Sequence, residues 1–159
     1  MPGNGLNKIS TTQVLNEFSG EYYREIVIDG KLLGDLLHES YPDANLSGLV
    51  PTLLSWLDNE QERRVTWERI IPEVNQNKIS PVLMCGEDLD FWCTIVVADS
   101  FATSNIITWA RIGIDDTDDR GLHPDHLGQR VNWLAHTGPY IFDRQEFVDC
   151  IEQFRSELK

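Results

Sequence analysis

The chain has 159 residues, with 26 Asp and Glu against 13 Lys and Arg, a formal net charge of −13 at pH 7, and 41 % hydrophobic residues. That length fits one domain able to bury about two-thirds of its unfolded surface, and the apolar fraction with five tryptophans supplies a core, so a disordered chain is excluded. Acidity of this degree repels nucleic acid and anionic membranes, which excludes direct binding to either and leaves cations or basic proteins as partners.

The surplus is local. From Gly86 to His126, nine acids (Glu87, Asp88, Asp90, Asp99, Asp115, Asp116, Asp118, Asp119 and Asp125) face only Arg111 and Arg120, a net −7 out of −13. No apolar run approaches the roughly 18 residues of a membrane span, and MPGNGLNKISTT has neither the basic nor the apolar region of a signal peptide, which predicts a cytoplasmic protein. Cys85, Cys93 and Cys150 are odd in number and lack CxxC spacing; this argues against a disulfide framework and a cysteine-based zinc site, and the three read as buried, reduced thiols.

In chain order, residues 1–15 are rich in Gly, Asn, Ser and Thr and are expected to form a flexible leader, with residues 16–159 a single domain. Tyr22 to Ile28 alternates as a half-buried strand and ends in the turn Asp29-Gly30. Lys31 to Glu39 sets Leu32, Leu33, Leu36 and Leu37 on a helical stripe that Tyr41-Pro42 terminates. Leu49 to Leu57 repeats the stripe with Leu53, Leu54, Trp56 and Leu57, predicting a second helix with Pro51 in its first turn that reaches into residues 58–62. From Arg64 the period becomes two, with Val65, Trp67 and Ile71 on one face, which predicts a strand closed by Pro72.

Ile79 to Cys85 is a further strand in which Pro81 demands an edge, a bulge or a strand start. Phe91 to Ala98 is apolar on both faces and suits a central strand; Asn105 to Ile114 pairs with it as an antiparallel hairpin through residues 99–104. Along that partner, Ile106, Thr108, Ala110, Ile112 and Ile114 fall on one face, with Ile107, Trp109 and Arg111 on the other. Residues 115–129, DDTDDRGLHPDHLGQ, form a long exposed loop. Short strands follow at Val131 to Leu134 and Tyr140 to Phe142, and Asp143 caps a last helix carrying Phe147, Cys150, Ile151, Phe154 and Leu158, with Glu146 placed for a capping box. The expected fold is an α+β domain, a mostly antiparallel sheet of about five or six strands with helices packed on it.

Catalytic templates fail on residue type. There is no GxGxxG, P-loop, HExxH or GxSxG. Asp116 to Gly121 begins like a calcium loop, but Arg120 and Leu127 occupy its fifth and twelfth positions, where a carboxylate and a bidentate Glu are needed. Asp115, Asp116, Asp118 and Asp119 could hold at most a weak surface cation. His123 and His126, three apart around Asp125, suggest a small metal-dependent hydrolase, although Pro124 opposes a regular helix and two His with one Asp match no zinc or iron pattern. Glu87, Asp88 and Asp90 could form an acid/base set only if dry; turn and capping residues are the plainer reading. Trp56, Trp67, Trp92, Trp109 and Trp133 all lie within periodic apolar elements, and most of them read as core. No catalytic residue, metal ligand or cofactor is assigned.

The succession YYREIVIDGKLLGDLL, GLVPTLLSWL, RRVTWERIIP, SPVLMCGEDLDFWCTIVVAD, ITWARIGID and GPYIFDRQEF resembles, over about residues 21 to 155, the small acidic immunity proteins encoded beside polymorphic or contact-dependent growth inhibition toxins. The resemblance implies a non-enzymatic role: binding one cognate toxin in the cytosol and blocking its active site or substrate surface. A nuclease toxin carries a basic groove, which an acidic surface can occupy in place of phosphates. The expected contacts are Glu87, Asp88, Asp90, Asp115, Asp116, Asp118 and Asp119, with a Tyr or Trp anchor beside them. An acidic adaptor for some other basic partner is the alternative.

Overall fold

The computed structural model describes residues 5–17 and 19–158. Its strands are β1 (Ile9–Leu15), β2 (Tyr22–Ile28), β3 (Lys31–Leu32), β4 (Leu49–Pro51), β5 (Asn77–Cys85), β6 (Ile95–Ala102), β7 (Ile106–Asp115), β8 (Val131–Leu134) and β9 (Tyr140–Asp143); its helices are α1 (Leu33–Ser40), α2 (Glu60–Arg69) and α3 (Arg144–Arg155). The fold is α+β, as expected. A six-stranded antiparallel sheet runs β4-β5-β6-β7-β8, with β9 beside β8 on the outer edge of β7, and a separate three-stranded sheet runs β1-β2-β3. No helix among the described residues is long and apolar enough to cross a membrane.

The leader expected over residues 1–15 is structured where it is described. Residues 1–4 lie outside the described part, but Ile9–Leu15 pairs along the whole length of β2. Asn7 ties this segment to β9, its N–H donating to Ile141 O at 2.6 Å and its Oδ1 accepting from Ile141 N at 2.7 Å. Polar composition suggested mobility, yet a strand with one wet face needs only its alternate residues to be apolar, and Ile9 is buried.

Two further expectations are corrected. Leu49 to Leu57 holds the short strand β4 followed by turns, and the helix comes later, over Glu60–Arg69, where a strand was expected from Arg64. Asn59 starts α2, its side chain accepting from Glu62 N at 3.0 Å; Glu60 and Glu62 stand in the positive first turn and Arg69 in the last. Glu62, Val65 and Thr66 form the buried stripe, so the real period was 3.6 and the alternation around Trp67 was incidental.

The central hairpin is β6 and β7, shifted from the expected bounds so that only residues 103–105 connect them. Pro81 sits inside the sheet at a register shift between Pro81 and Leu83, the bulge its missing N–H required. A second shift places Asp99 opposite Arg111 and Ser100 opposite Trp109, leaving Ala110 as the extra residue. That bulge exchanges faces: Ile107 and Trp109 are buried together with Ile112, instead of alternating with it. Trp109 meets Phe142 and Phe147 edge-on, with centroids 5.2 and 5.9 Å apart, and through them α3 packs against β7 and β9. Asp143 caps α3 by accepting from Glu146 N at 2.9 Å, while Glu146 Oε1 accepts from Ile9 N at 3.0 Å and so ties the helix start to β1.

Candidate functional site

β7 ends on Asp115, whose chain then leaves the sheet through residues 116–130. Asp115 had been expected on the acidic surface. Its side chain is 0 % exposed. It accepts from Gly128 N at 2.9 Å, Thr117 Oγ1 at 3.0 Å and Thr117 N at 3.4 Å, and it pairs with Arg120 Nη1 at 3.4 Å. A buried carboxylate is tolerable only when its lone pairs are filled in this way. Asp115 is therefore a post that shapes the loop from inside.

Arg120 carries the construction to the neighbouring turn. Its Nε donates to Phe91 O at 2.8 Å and its Nη2 to Cys93 O, while Nη1 also donates to Asp115 O at 3.2 Å. The guanidinium fork thus joins residues 86–94 to residues 115–121. On the far side, Arg69 at the end of α2 donates to Leu127 O and Asp125 O, both at 2.8 Å, and Arg64 pairs with Asp125 at 3.2 Å. The stretch expected to be a solvated loop is held at one margin by its own Arg120 and at the other by Arg64 and Arg69 of α2.

Trp92 lies on the outside of this construction. The central strand begins only at Ile95; ahead of it Phe91 points into the core and Trp92 points out, 63 % exposed, outside the core in which most of the tryptophans were expected. Its indole lies over Gly121, where an added Cβ would come within 2.5 Å of the ring, so only glycine lets it lie this close to the backbone. Asp90 Oδ1 accepts from Trp92 N at 3.0 Å and fixes the turn. Trp92, Asp116, Asp118 and Gly121 line a cleft of about 160 Å³, and Leu122 is 69 % exposed nearby in sequence.

Of the expected contact residues, then, Asp116 and Asp118 meet Trp92 at the cleft. Glu87 and Asp88 are exposed and Asp90 half-buried on the turn that leads into it. Asp119 lies 2.8 Å from His126 Nδ1, a hydrogen bond that holds its carboxyl below the usual range. Arg130 stands 4.0 Å from Asp116 and 3.9 Å from Asp118, loose pairs between exposed side chains that cancel little of their field.

The metal readings separate. The His123 and His126 rings are 5.0 Å apart and His126 meets Asp119, but these three do not bring one ligand atom each within 4.8 Å of one another. Three ligand-type atoms do converge elsewhere, on Cys85, Asp88 and Cys93. Sequence reasoning set these two cysteines aside on their odd number and their lack of CxxC spacing; Cys85 ends β5 and Cys93 lies just ahead of β6. Cys150, on the buried face of α3, has its thiol pushed up to about 12 by that burial and fits the inert reading.

Two buried carboxylates stand apart from the acidic rim. Glu25 lies in a cleft of about 170 Å³ with Asp35 and His38, hydrogen-bonded by Tyr23, and Glu62 on α2 accepts from the backbone N–H of Phe91. Burial pushes each from 4.5 up to about 7, with Asp35 adding to the effect on Glu25 and Asp90 and Asp58 adding to that on Glu62. Between those values the unfolded chain loses protons that the folded chain keeps, so stability should fall as pH rises from about 4.5 to 7 and level off above. Glu25→Gln and Glu62→Gln should each leave stability unchanged at pH 4 and raise it by about 1–3 kcal/mol at pH 8, read by urea denaturation. Equal effects at both pH values would contradict this assignment.

No protein-family model, characterised protein or solved structure matches the chain.

Proposed function

We propose that this chain is a non-enzymatic binding protein that neutralises a basic protein toxin, of nuclease type, by covering its active site or substrate groove with an acidic face. The observation that carries the reading is Trp92, exposed on Gly121 and flanked by Asp116 and Asp118 on a scaffold fixed by Arg120. An exposed aromatic ringed by carboxylates is suited to a cationic surface: the rim steers the encounter, and the indole supplies area that is buried at little cost in conformational entropy. The immunity proteins that the sequence resembles have this role. A hydrolase on His123 and His126 has less support, since with Asp119 they do not bring their ligand atoms within 4.8 Å of one another.

The test has two arms. Cells expressing a compact toxin domain encoded immediately upstream should survive only when this chain is co-expressed, and survival without it would remove the immunity role. With the purified pair, the triple charge reversal D116K/D118K/D119K should slow association by about tenfold or more at low salt and flatten its salt dependence. Unchanged association kinetics would take residues 116–119 out of the interface.

A further inference from the structure

Cys85 closes β5 and Cys93 stands two residues before β6, with Cys85 N donating to Thr94 O at 3.1 Å across the two antiparallel strands. Between them the chain doubles back: Leu89 N donates to Cys85 O at 3.0 Å, and Leu89 itself adopts φ 55°. That left-handed backbone costs a leucine about 1 kcal/mol or more, and it brings Asp88 back to the strand ends. The Asp88 carboxylate and the two thiols then lie with their ligand atoms within 4.8 Å of one another. Asp88 is exposed and both cysteines are half-buried, so an ion can reach all three.

We propose that Cys85, Asp88 and Cys93 form a binding site for a zinc ion, with water in the fourth position. Bonds of about 2.3 Å to sulfur and 2.0–2.2 Å to oxygen place tetrahedral ligand atoms about 3.5–3.8 Å apart, a closure within reach of side-chain rotation here. Two sulfur ligands disfavour Ca²⁺ and Mg²⁺, which take oxygen, and favour Zn²⁺. The surrounding excess of carboxylates draws cations to the turn. Cys93, whose thiol hydrogen-bonds Cys85 and lies beside Asp88, must release its proton on binding, so uptake strengthens with rising pH.

Arg120 already grips the Cys93 carbonyl, giving the turn a second fixed end. The ion would therefore stiffen the segment that carries Glu87, Asp90 and Trp92. The site does not depend on the toxin reading, because its ligands belong to this chain alone.

The test uses the full chain, kept reduced with a phosphine. Competition with a chromophoric chelator should show one equivalent of Zn²⁺ bound, and Co²⁺ should give thiolate-to-metal charge-transfer absorption. Cys85→Ser and Cys93→Ser should each weaken zinc binding about 100-fold or more and Asp88→Asn about tenfold. The cobalt spectrum of the unaltered chain decides the matter even if the serine variants fold poorly. Absence of stoichiometric uptake, a cobalt spectrum without thiolate bands, or undiminished uptake by C85S/C93S or D88N would overturn the site.

Discussion

Replacing Asp115 with alanine is expected to cost about 3–5 kcal/mol of folding stability, the largest loss from replacing any one carboxylate in the acidic stretch. The carboxylate is fully buried and accepts from the Gly128 and Thr117 backbone and from the Thr117 hydroxyl. Its removal leaves these donors dry, and it leaves Arg120, only 14 % exposed, without its counter-charge. Asp115→Asn keeps the shape and part of the hydrogen bonding and should lose less, about 1–3 kcal/mol. Asp118→Ala provides the contrast, since that side chain is 89 % exposed and its loss should fall within about 0.5 kcal/mol of the parent. Urea midpoints at pH 7 measure all three; equal midpoints for D115A and D118A would show that Asp115 is not the internal support of the loop.

The contrast between two aspartates three residues apart shows what the sequence could and could not convey. Composition and segment charge located the acidic stretch, and a strand followed by an Asp-rich run located the end of β7. Nothing in DDTDD distinguishes the aspartate that turns inward from those that stay wet. That choice is made by Arg120, Thr117 and Gly128, whose contacts exist only once the loop has closed. Helix and strand were legible where one period dominated, as in β2, β5 and α3. They were misread over residues 49–71, where apolar pairs fit either period and where the Asn59 cap, the strongest local marker of the true helix, precedes a run of charged residues instead of an apolar one. β7 was legible as a strand but not in its faces, because the bulge at Ala110 leaves no residue-type signature.

The same limit applied to the thiols. Spacing rules for cysteine ligands presume a local knuckle, whereas Cys85 and Cys93 are brought together by strand pairing across an eight-residue separation. Trp92 was misplaced because Phe91 and Trp92 were assigned to a central strand that begins only at Ile95; in the turn ahead of it Asp90 accepts from the Trp92 N–H, Phe91 is buried and the indole stays outside.

Trp92→Ala should leave folding nearly intact and weaken the proposed complex with a basic partner by about 2–4 kcal/mol, roughly 30- to 1000-fold in Kd. The indole is exposed and touches Gly121 on one face, so its loss uncovers little core. In the proposed complex the same ring would be enclosed while the surrounding carboxylates exclude water and meet cationic groups, the arrangement in which truncation costs most. The effect should appear in the dissociation rate, because short-range packing acts after encounter, whereas D116K/D118K/D119K should act on the association rate and its salt dependence. Combining the two sets separates anchor from field: W92A should retain the parent's salt slope, and the charge-reversed chain should retain most of its dissociation rate. Stopped-flow measurements at two ionic strengths read both quantities. A W92A complex that dissociates as slowly as the parent would place the anchor elsewhere, with Leu122, the other strongly exposed apolar side chain of this loop pair, the next residue to replace.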